Sequence, residues 1–451
     1  MKNYSILAVL VSIAMGVMIG INSYFGIIIL SILLFVIYCI YGISYTKNKR
    51  IFLLKNYIFL SIYIYIIRPC TFKNIVIIVD IFLLILLLIG LTKYKNKSIP
   101  KNLNIYVLTL LLLGLIGILN PNIINKYNSL IEFRKTIFQF LAIYIGYIYI
   151  YSREELNEIL KFILIISLPI LIYGIKQYII FTEFDMLYLA QSSADIYTNM
   201  YGGKFRAISI FSGPFHFGMF SLIMLCIAIY FMSIYKEKSK YKYYLIAIIA
   251  IISALSSLTR VNIVALLVIL IVNLIFIFKV GNKKSILILL GLALLSLIMF
   301  IIVYSNGLIL FNEKNVLYKT FYSLTNIGTD TRFMGRIDTW IKSFEMIFNN
   351  IILGNGIGSA ADAMSYVAYN HVTPHNMFLK ITIEIGIVGL VAFVFLWVVS
   401  LKKVIKLNNS YQKLYISVML VILVNGMTGT TISAYPVNTL FWMIIGSIFV
   451  L

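Results

Sequence analysis

The chain alternates long apolar runs with short polar connections throughout its length. A helix needs roughly 20 apolar residues to cross a bilayer. On that measure the pattern predicts fourteen spans, at 4–21, 24–43, 51–67, 74–92, 103–119, 132–151, 160–180, 209–235, 243–259, 261–278, 284–304, 375–401, 412–430 and 434–451. Two connections are long: a smaller loop at 181–206 and a large one at 305–374. The first part of the large loop, to Thr331, is polar and without period. Beyond Arg336, the residues Ile337, Trp340, Ile341, Phe344, Ile347 and Phe348 recur at helical spacing, which predicts a helix over 336–350 lying against the membrane domain or its interface.

Composition narrows the class. Hydrophobic residues make up 62% of 451, charged residues 12%, and mean hydropathy is +1.00, which excludes a soluble globular domain. The fold expected is a single all-α polytopic membrane domain spanning 1–451, with about 12–14 transmembrane helices. The first run follows Lys2 but has no small-residue cleavage site and leads directly into another span, so it reads as a retained helix. Cys39, Cys70 and Cys226 lie in or beside separate spans without CxxC spacing and read as small apolar residues, not as a disulfide or metal framework.

The net charge of +22 is a topology signal and does not point to nucleic acid. With a cytoplasmic N-terminus, 22 of the 37 basic residues and 4 of the 15 acidic residues fall inside. That asymmetry is what the positive-inside rule asks of short loops, and it places both termini in the cytoplasm.

Candidate chemistry then gathers on the outer side. Arg206 leads into RAISIFSGPFHFGMF, where Gly213, Pro214 and His216 suggest irregular backbone of the kind that lines a wet cavity, although an ordinary helix start with a snorkelling arginine fits equally well. Arg260 lies at a helix hairpin beside Thr259 and Asn262, with no acidic residue within ten positions; it either snorkels or holds an anion. Gly354, Gly356 and Gly358 in LGNGIGSA lack the preceding strand and following Lys-Ser/Thr of a nucleotide loop, which leaves open a turn bringing backbone N–H groups to a ligand. His371 and His375 have i, i+4 spacing, but Pro374 interrupts the helix and no HExxH glutamate is present, so no metal site is expected. His375 is better read as an unliganded base. Lys380 and Glu384 read as a pair that satisfies itself. Arg206, Arg260 and Arg336 with His216 and His375 on one face suit a lipid phosphate or pyrophosphate substrate, the guanidinium groups matching phosphate oxygens and a histidine accepting a proton.

Four stretches, RAISIFSGPFHFG, LTRVNIVAL, GRIDTWIKSFEMIFNNIILGNGIG and HNMFLKITIEIGIVG, make the chain resemble the O-antigen ligase and O-antigen polymerase family of bacterial envelope glycan enzymes. The last fits the family's pattern of His, a small polar residue, nine positions, then Gly-x-x-Gly. The resemblance implies a fold similar to the multi-span lipid-linked glycosyltransferases. It further implies inverting, metal- and cofactor-independent glycosyl transfer at the outer face of the cytoplasmic membrane. The donor implied is an undecaprenyl-pyrophosphate-linked oligosaccharide. His375 would be the catalytic general base, with Arg206, Arg260 and Arg336 holding the pyrophosphate; His216 stands where relatives often have Asn. The implied partners are the lipid-linked donor, the bilayer, and the chain-length regulator and flippase of the same pathway, with no nucleic acid. Polymerisation of polysaccharide repeat units (O-antigen, capsule or exopolysaccharide) is favoured over ligation of finished glycan to another acceptor. Abundant Ile, Lys, Asn and Tyr suggest an AT-rich genome, compatible with an organism lacking lipopolysaccharide. A lipid-linked sugar transporter or flippase is the reading from another class; charges confined to the outer parts of their spans argue against it.

Overall fold

The structure is a computed structural model and describes residues 48–67, 76–94, 99–186, 200–201, 204–235, 237–280, 331–361 and 367–451. The predicted spans 4–21, 24–43 and 284–304, and nearly all of the polar stretch 305–331, lie outside the described residues.

The described chain is almost wholly helical. Its helices are α1 (Lys49–Ile67), α2 (Ile77–Lys93), α3 (Lys101–Ile118), α4 (Lys126–Lys135), α5 (Ala142–Tyr149), α6 (Arg153–Ile179), α7 (Pro214–Ile234), α8 (Glu237–Ser256), α9 (Arg260–Val280), α10 (Thr331–Asn349), α11 (Met377–Val404), α12 (Asn409–Gly426) and α13 (Val437–Ser447). A two-residue antiparallel ribbon, Met200–Tyr201 with Lys204–Phe205, precedes α7. Among the described residues α3, α6, α7 and α11 are long and apolar enough to cross a membrane, and the chain is a polytopic membrane protein. Most predicted spans recur within a few residues, and the helix expected at 336–350 is α10.

Helix α7 is apolar all round and buried nearly throughout, which makes it the central post, packed by α6, α8, α9 and α12. α11 packs on α3 and α12, and α13 on α5. Gly146 and Gly446 let the last two cross closely: a Cβ on either would stand 1.9 or 2.0 Å from a carbonyl oxygen of the other helix.

Two predicted spans are corrected. The run 132–151 is not one helix. Glu132, Arg134 and Lys135 belong to the polar helix α4, a 3₁₀ turn follows at Ile137–Leu141, and α5 is only eight residues long and buried on every side. Charged side chains cannot be left in hydrocarbon unpaired, so the chain turns where they end and spends them on neighbours. Arg134 Nη1 donates to Asp80 Oδ2 at 2.7 Å, Gln139 Nε2 to Asp80 Oδ1 at 3.0 Å, and Thr439 Oγ1 to Gln139 Oε1 at 2.5 Å, which ties α2, α4 and α13 together. The run 375–401 begins at Met377, after an N-cap from Asn376, and is interrupted at Ile385 and Gly386, where φ reaches +70° at the glycine.

Candidate active site

The interruption in α11 leaves two carbonyls and one N–H without helical partners inside a long apolar helix, and the segment running into the glycine-rich loop supplies them. Asn355 N donates to Ile383 O at 2.7 Å, Gly356 N to Glu384 O at 3.1 Å, and Ile387 N to Ile351 O at 2.8 Å. Gly354, Gly356 and Gly358 take φ of +75°, +93° and +99° to make this close approach. Ile357 N bonds Gly117 O, and Asn120, Asn122 and Ser129 side chains hold the carbonyls of Gly354, Asn355 and Ile357. The turn left open by the sequence, with its N–H groups facing a ligand, is not what forms: the N–H groups of Gly354, Gly356 and Gly358 bond Asn350 O, Glu384 O and Glu384 Oε1. The loop is a plug that satisfies irregular backbone inside the protein, as such depth requires.

Lys380 and Glu384 are likewise not a self-contained pair. Lys380 Nζ donates to Glu384 Oε1 (3.1 Å), Glu132 Oε1 (3.0 Å) and Ala360 O (2.9 Å), while Gly358 N donates to Glu384 Oε1 at 3.1 Å. Glu132, from the misread span, is the partner that sequence spacing does not reveal; an acidic residue at the head of an apolar run is the signal for it. The network latches the plug to α11 and α4.

The candidate residues lie on pieces of chain that side-chain contacts link in series, here called the rim. Arg206 lies against the α8–α9 turn, its Nε donating to Ser257 O (3.2 Å) and its Nη2 to Thr259 Oγ1 (2.8 Å), beside Arg260 at the head of α9. Asn262 Nδ2 reaches Phe215 O at 3.4 Å, next to His216, whose Nδ1 shares a 2.6 Å hydrogen bond with Ser212 Oγ. The Phe215 ring lies on Gly429, in the connection after α12. That connection also holds the loop of His375: Asn376 Nδ2 donates to Met427 O at 3.0 Å and Thr431 Oγ1 to Met377 Sδ at 2.9 Å. On the far side of His375, Pro374 O accepts Trp340 Nε1 at 2.8 Å, one turn along α10 from Arg336. Arg206, Arg260, His216, His375 and Arg336 thus lie on, or within one turn of, pieces of chain joined in series by these contacts. Sequence reasoning missed Asn376 as an N-cap, Phe215 and the 427–431 connection, which carry no charge to mark them.

Backbone strain falls on the same pieces. Among the described residues the non-glycine positions with positive φ are Ser209 (52°), Leu258 (46°) and His375 (46°), that is, three residues after Arg206, two before Arg260, and the histidine itself. His375 is exposed, and the three arginine and histidine partners Arg206, Arg260 and His216 are half-buried. No group of three or more His, Cys, Asp or Glu placed to hold a metal occurs among the described residues.

Beside the rim, Asp185 is fully buried. It accepts from Tyr173 Oη (2.6 Å), Lys176 Nζ (2.5 Å), Thr182 N (2.8 Å) and Thr182 Oγ1 (2.6 Å). Burial pushes its carboxyl up, but these donors outweigh burial and hold it below its ordinary value.

No curated protein matches the chain. A family model described as O-antigen ligase matches residues 245–394, about a third of the chain, a stretch that takes in Arg260, Arg336, the plug and His375 but not Arg206 or His216. That segment is similar to the O-antigen ligase family.

Proposed function

We propose that the rim transfers a glycan from a lipid-linked pyrophosphate donor to an acceptor hydroxyl, and that the acceptor is a second lipid-linked repeat unit, so that the protein polymerises envelope polysaccharide. His375 takes the proton of the attacking hydroxyl as its oxygen forms the new bond to the anomeric carbon; the bond from that carbon to the pyrophosphate breaks, with inversion. Arg206, Arg260 and Arg336 balance the charge on the departing lipid pyrophosphate, a role suited to fixed guanidinium groups. The rim faces the outside of the cytoplasmic membrane, with both termini within.

The observation that carries this reading is the strain at Ser209, Leu258 and His375. Left-handed backbone at a non-glycine residue costs on the order of 1–3 kcal/mol and persists where a site needs a side chain held in one place. Here it recurs beside two of the three arginines and at the proposed base.

The test is purified protein in liposomes with an undecaprenyl-pyrophosphate-linked repeat unit as the only glycan, with His375→Ala in parallel. Lengthened lipid-linked products that vanish in the variant support polymerisation with His375 as base. Transfer only after a different acceptor is added makes the protein a ligase, and no transfer with either acceptor overturns the reading.

A further inference from the structure

We propose that residues 340–361 form a re-entrant segment whose tip, Phe348–Leu353, is buried in the acyl chains of the leaflet on the rim side. The path of the chain carries the first step. Trp340 Nε1 bonds Pro374 O, just above the start of α11. Eleven residues later Ile351 O accepts from Ile387 N, beyond the break in α11. The chain then climbs back: Ala360 O accepts Lys380 Nζ, and Ala361 O accepts from His371 Nε2 at 2.7 Å and Thr373 Oγ1 at 3.3 Å. It leaves and returns at the same end of the bundle.

Depth follows from two separate counts. Lys402 and Lys403 mark the far end of α11. About 20 residues back from Lys402 span the hydrocarbon, which puts its near surface at about residue 382 and Ile387 roughly 7 Å below it at 1.5 Å per residue. The same count from Lys101, at the far end of α3, puts the surface near residue 120, a few residues past Gly117, whose carbonyl bonds Ile357 N. The first count sets the tip, and the second the returning arm at Ile357, within the outermost several ångströms of hydrocarbon, the depth of interfacial helices.

The faces of α10 agree. At 100° per residue they divide into three sectors. Ser343 and Met346 are buried against the protein, with Arg336, Thr339, Trp340 and Ile347 half-buried beside them. Ile341, Phe344 and Phe348 form an exposed apolar sector, and Asp338, Lys342 and Glu345 an exposed charged one. Charge stops at Glu345. Below it the exposed residues are Phe348 (70% exposed), the uncharged Asn349 and Asn350, the latter donating from Nδ2 to Asn355 Oδ1 at 2.8 Å, and Ile351, Ile352 (66%) and Leu353, continuous through the Ile351–Ile387 bond with Ile387, Val388 and Val391, exposed on α11. An apolar surface that continues the lipid face of a spanning helix, under a charged collar, fits acyl chains.

The experiment places single cysteines at Phe348, Ile352, Lys342 and Val391 in the full chain with Cys39, Cys70 and Cys226 replaced by Ser. Each is nitroxide-labelled in liposomes of phosphatidylethanolamine and phosphatidylglycerol, and its accessibility to oxygen and to a nickel chelate is compared. Val391 supplies the lipid reference and Lys342 the aqueous one. The expected result is that positions 348 and 352 match Val391 and exceed Lys342 severalfold in the oxygen-to-nickel ratio. Nickel accessibility at 348 and 352 equal to that at Lys342 overturns the proposal. The readout needs no substrate, so it stands or falls apart from the proposed reaction.

Discussion

Replacing Lys380 by methionine removes a cation that contacts two buried carboxylates. Lys380 is 0% exposed, and Glu132 and Glu384 are nearly so, so solvent screens little of what is lost. The ammonium donates to Glu132, Glu384 and Ala360 O, and Glu384 Oε2 already lacks a partner among the described residues. Breaking a buried pair by removing one member costs about 3–5 kcal/mol, because the remaining charge stays buried. Lys135, at 3.6 Å from Glu132 and partly exposed, offsets only a part of this. Lys380→Met is therefore expected to lose about 3 kcal/mol or more. Lys380→Met with Glu132→Gln and Glu384→Gln is expected to recover most of that loss, since no buried carboxylate is then left without its cation and Lys135 is partly exposed. Thermal unfolding in detergent, followed by loss of the monodisperse chromatographic peak, measures both. A single variant as stable as the parent, or a triple variant no better than the single, refutes the view that charge compensation holds the plug.

Gly386→Ala combines φ of +70° with a Cβ placed 2.0 Å from Ile352 O, backbone that cannot step aside; a loss of at least about 2 kcal/mol is expected in the same unfolding assay. Asp185 titrates below its ordinary value in the folded protein, so it adds stability above the unfolded pKa of about 3.9 and loses it as pH falls through the folded value. Melting temperature below pH ~4 should fall more steeply for the parent than for Asp185→Asn, and parallel curves would contradict the assignment. Arg206→Lys keeps the charge but not the fork that meets Ser257 O and Thr259 Oγ1, and is expected to slow glycosyl transfer about tenfold or more while leaving the melting temperature nearly unchanged.

The spans and α10 were legible because apolar runs and the 3.6-residue period are local properties. The α4–α5 correction shows where such averaging fails: an apolar window absorbs Glu132, Arg134 and Lys135, although three charges at its head already mark a boundary. The plug was not legible. Its glycines were visible, but their N–H groups are assigned by a break in α11 at Ile385, thirty residues downstream of Asn355, and nothing in ITIEIGIVG distinguishes a broken helix from a glycine-bearing one. Of the rim, the charged members stood out against an apolar background. Asn376, Phe215 and the 427–431 connection did not, since uncharged residues gain their role only from what folding brings beside them.

That difference bears on how the rim is held. His375 sits in a strained conformation, exposed, between two fastened neighbours: Pro374, whose carbonyl takes the Trp340 indole, and Asn376, whose side chain reaches Met427 O while capping α11. Its own side chain need not be buried for its backbone to be fixed. Trp340 is in turn carried by α10, which is pinned at its far end by the plug to α11 and α3. Arg336 rides on the same helix. A change at the plug is therefore expected to move His375 and Arg336 together relative to Arg206, whose guanidinium is held by the α8–α9 turn, and Arg260, which begins α9. In the transfer proposed above, that relative placement would govern the rate, since a misplacement of about 1 Å can cost on the order of a hundredfold.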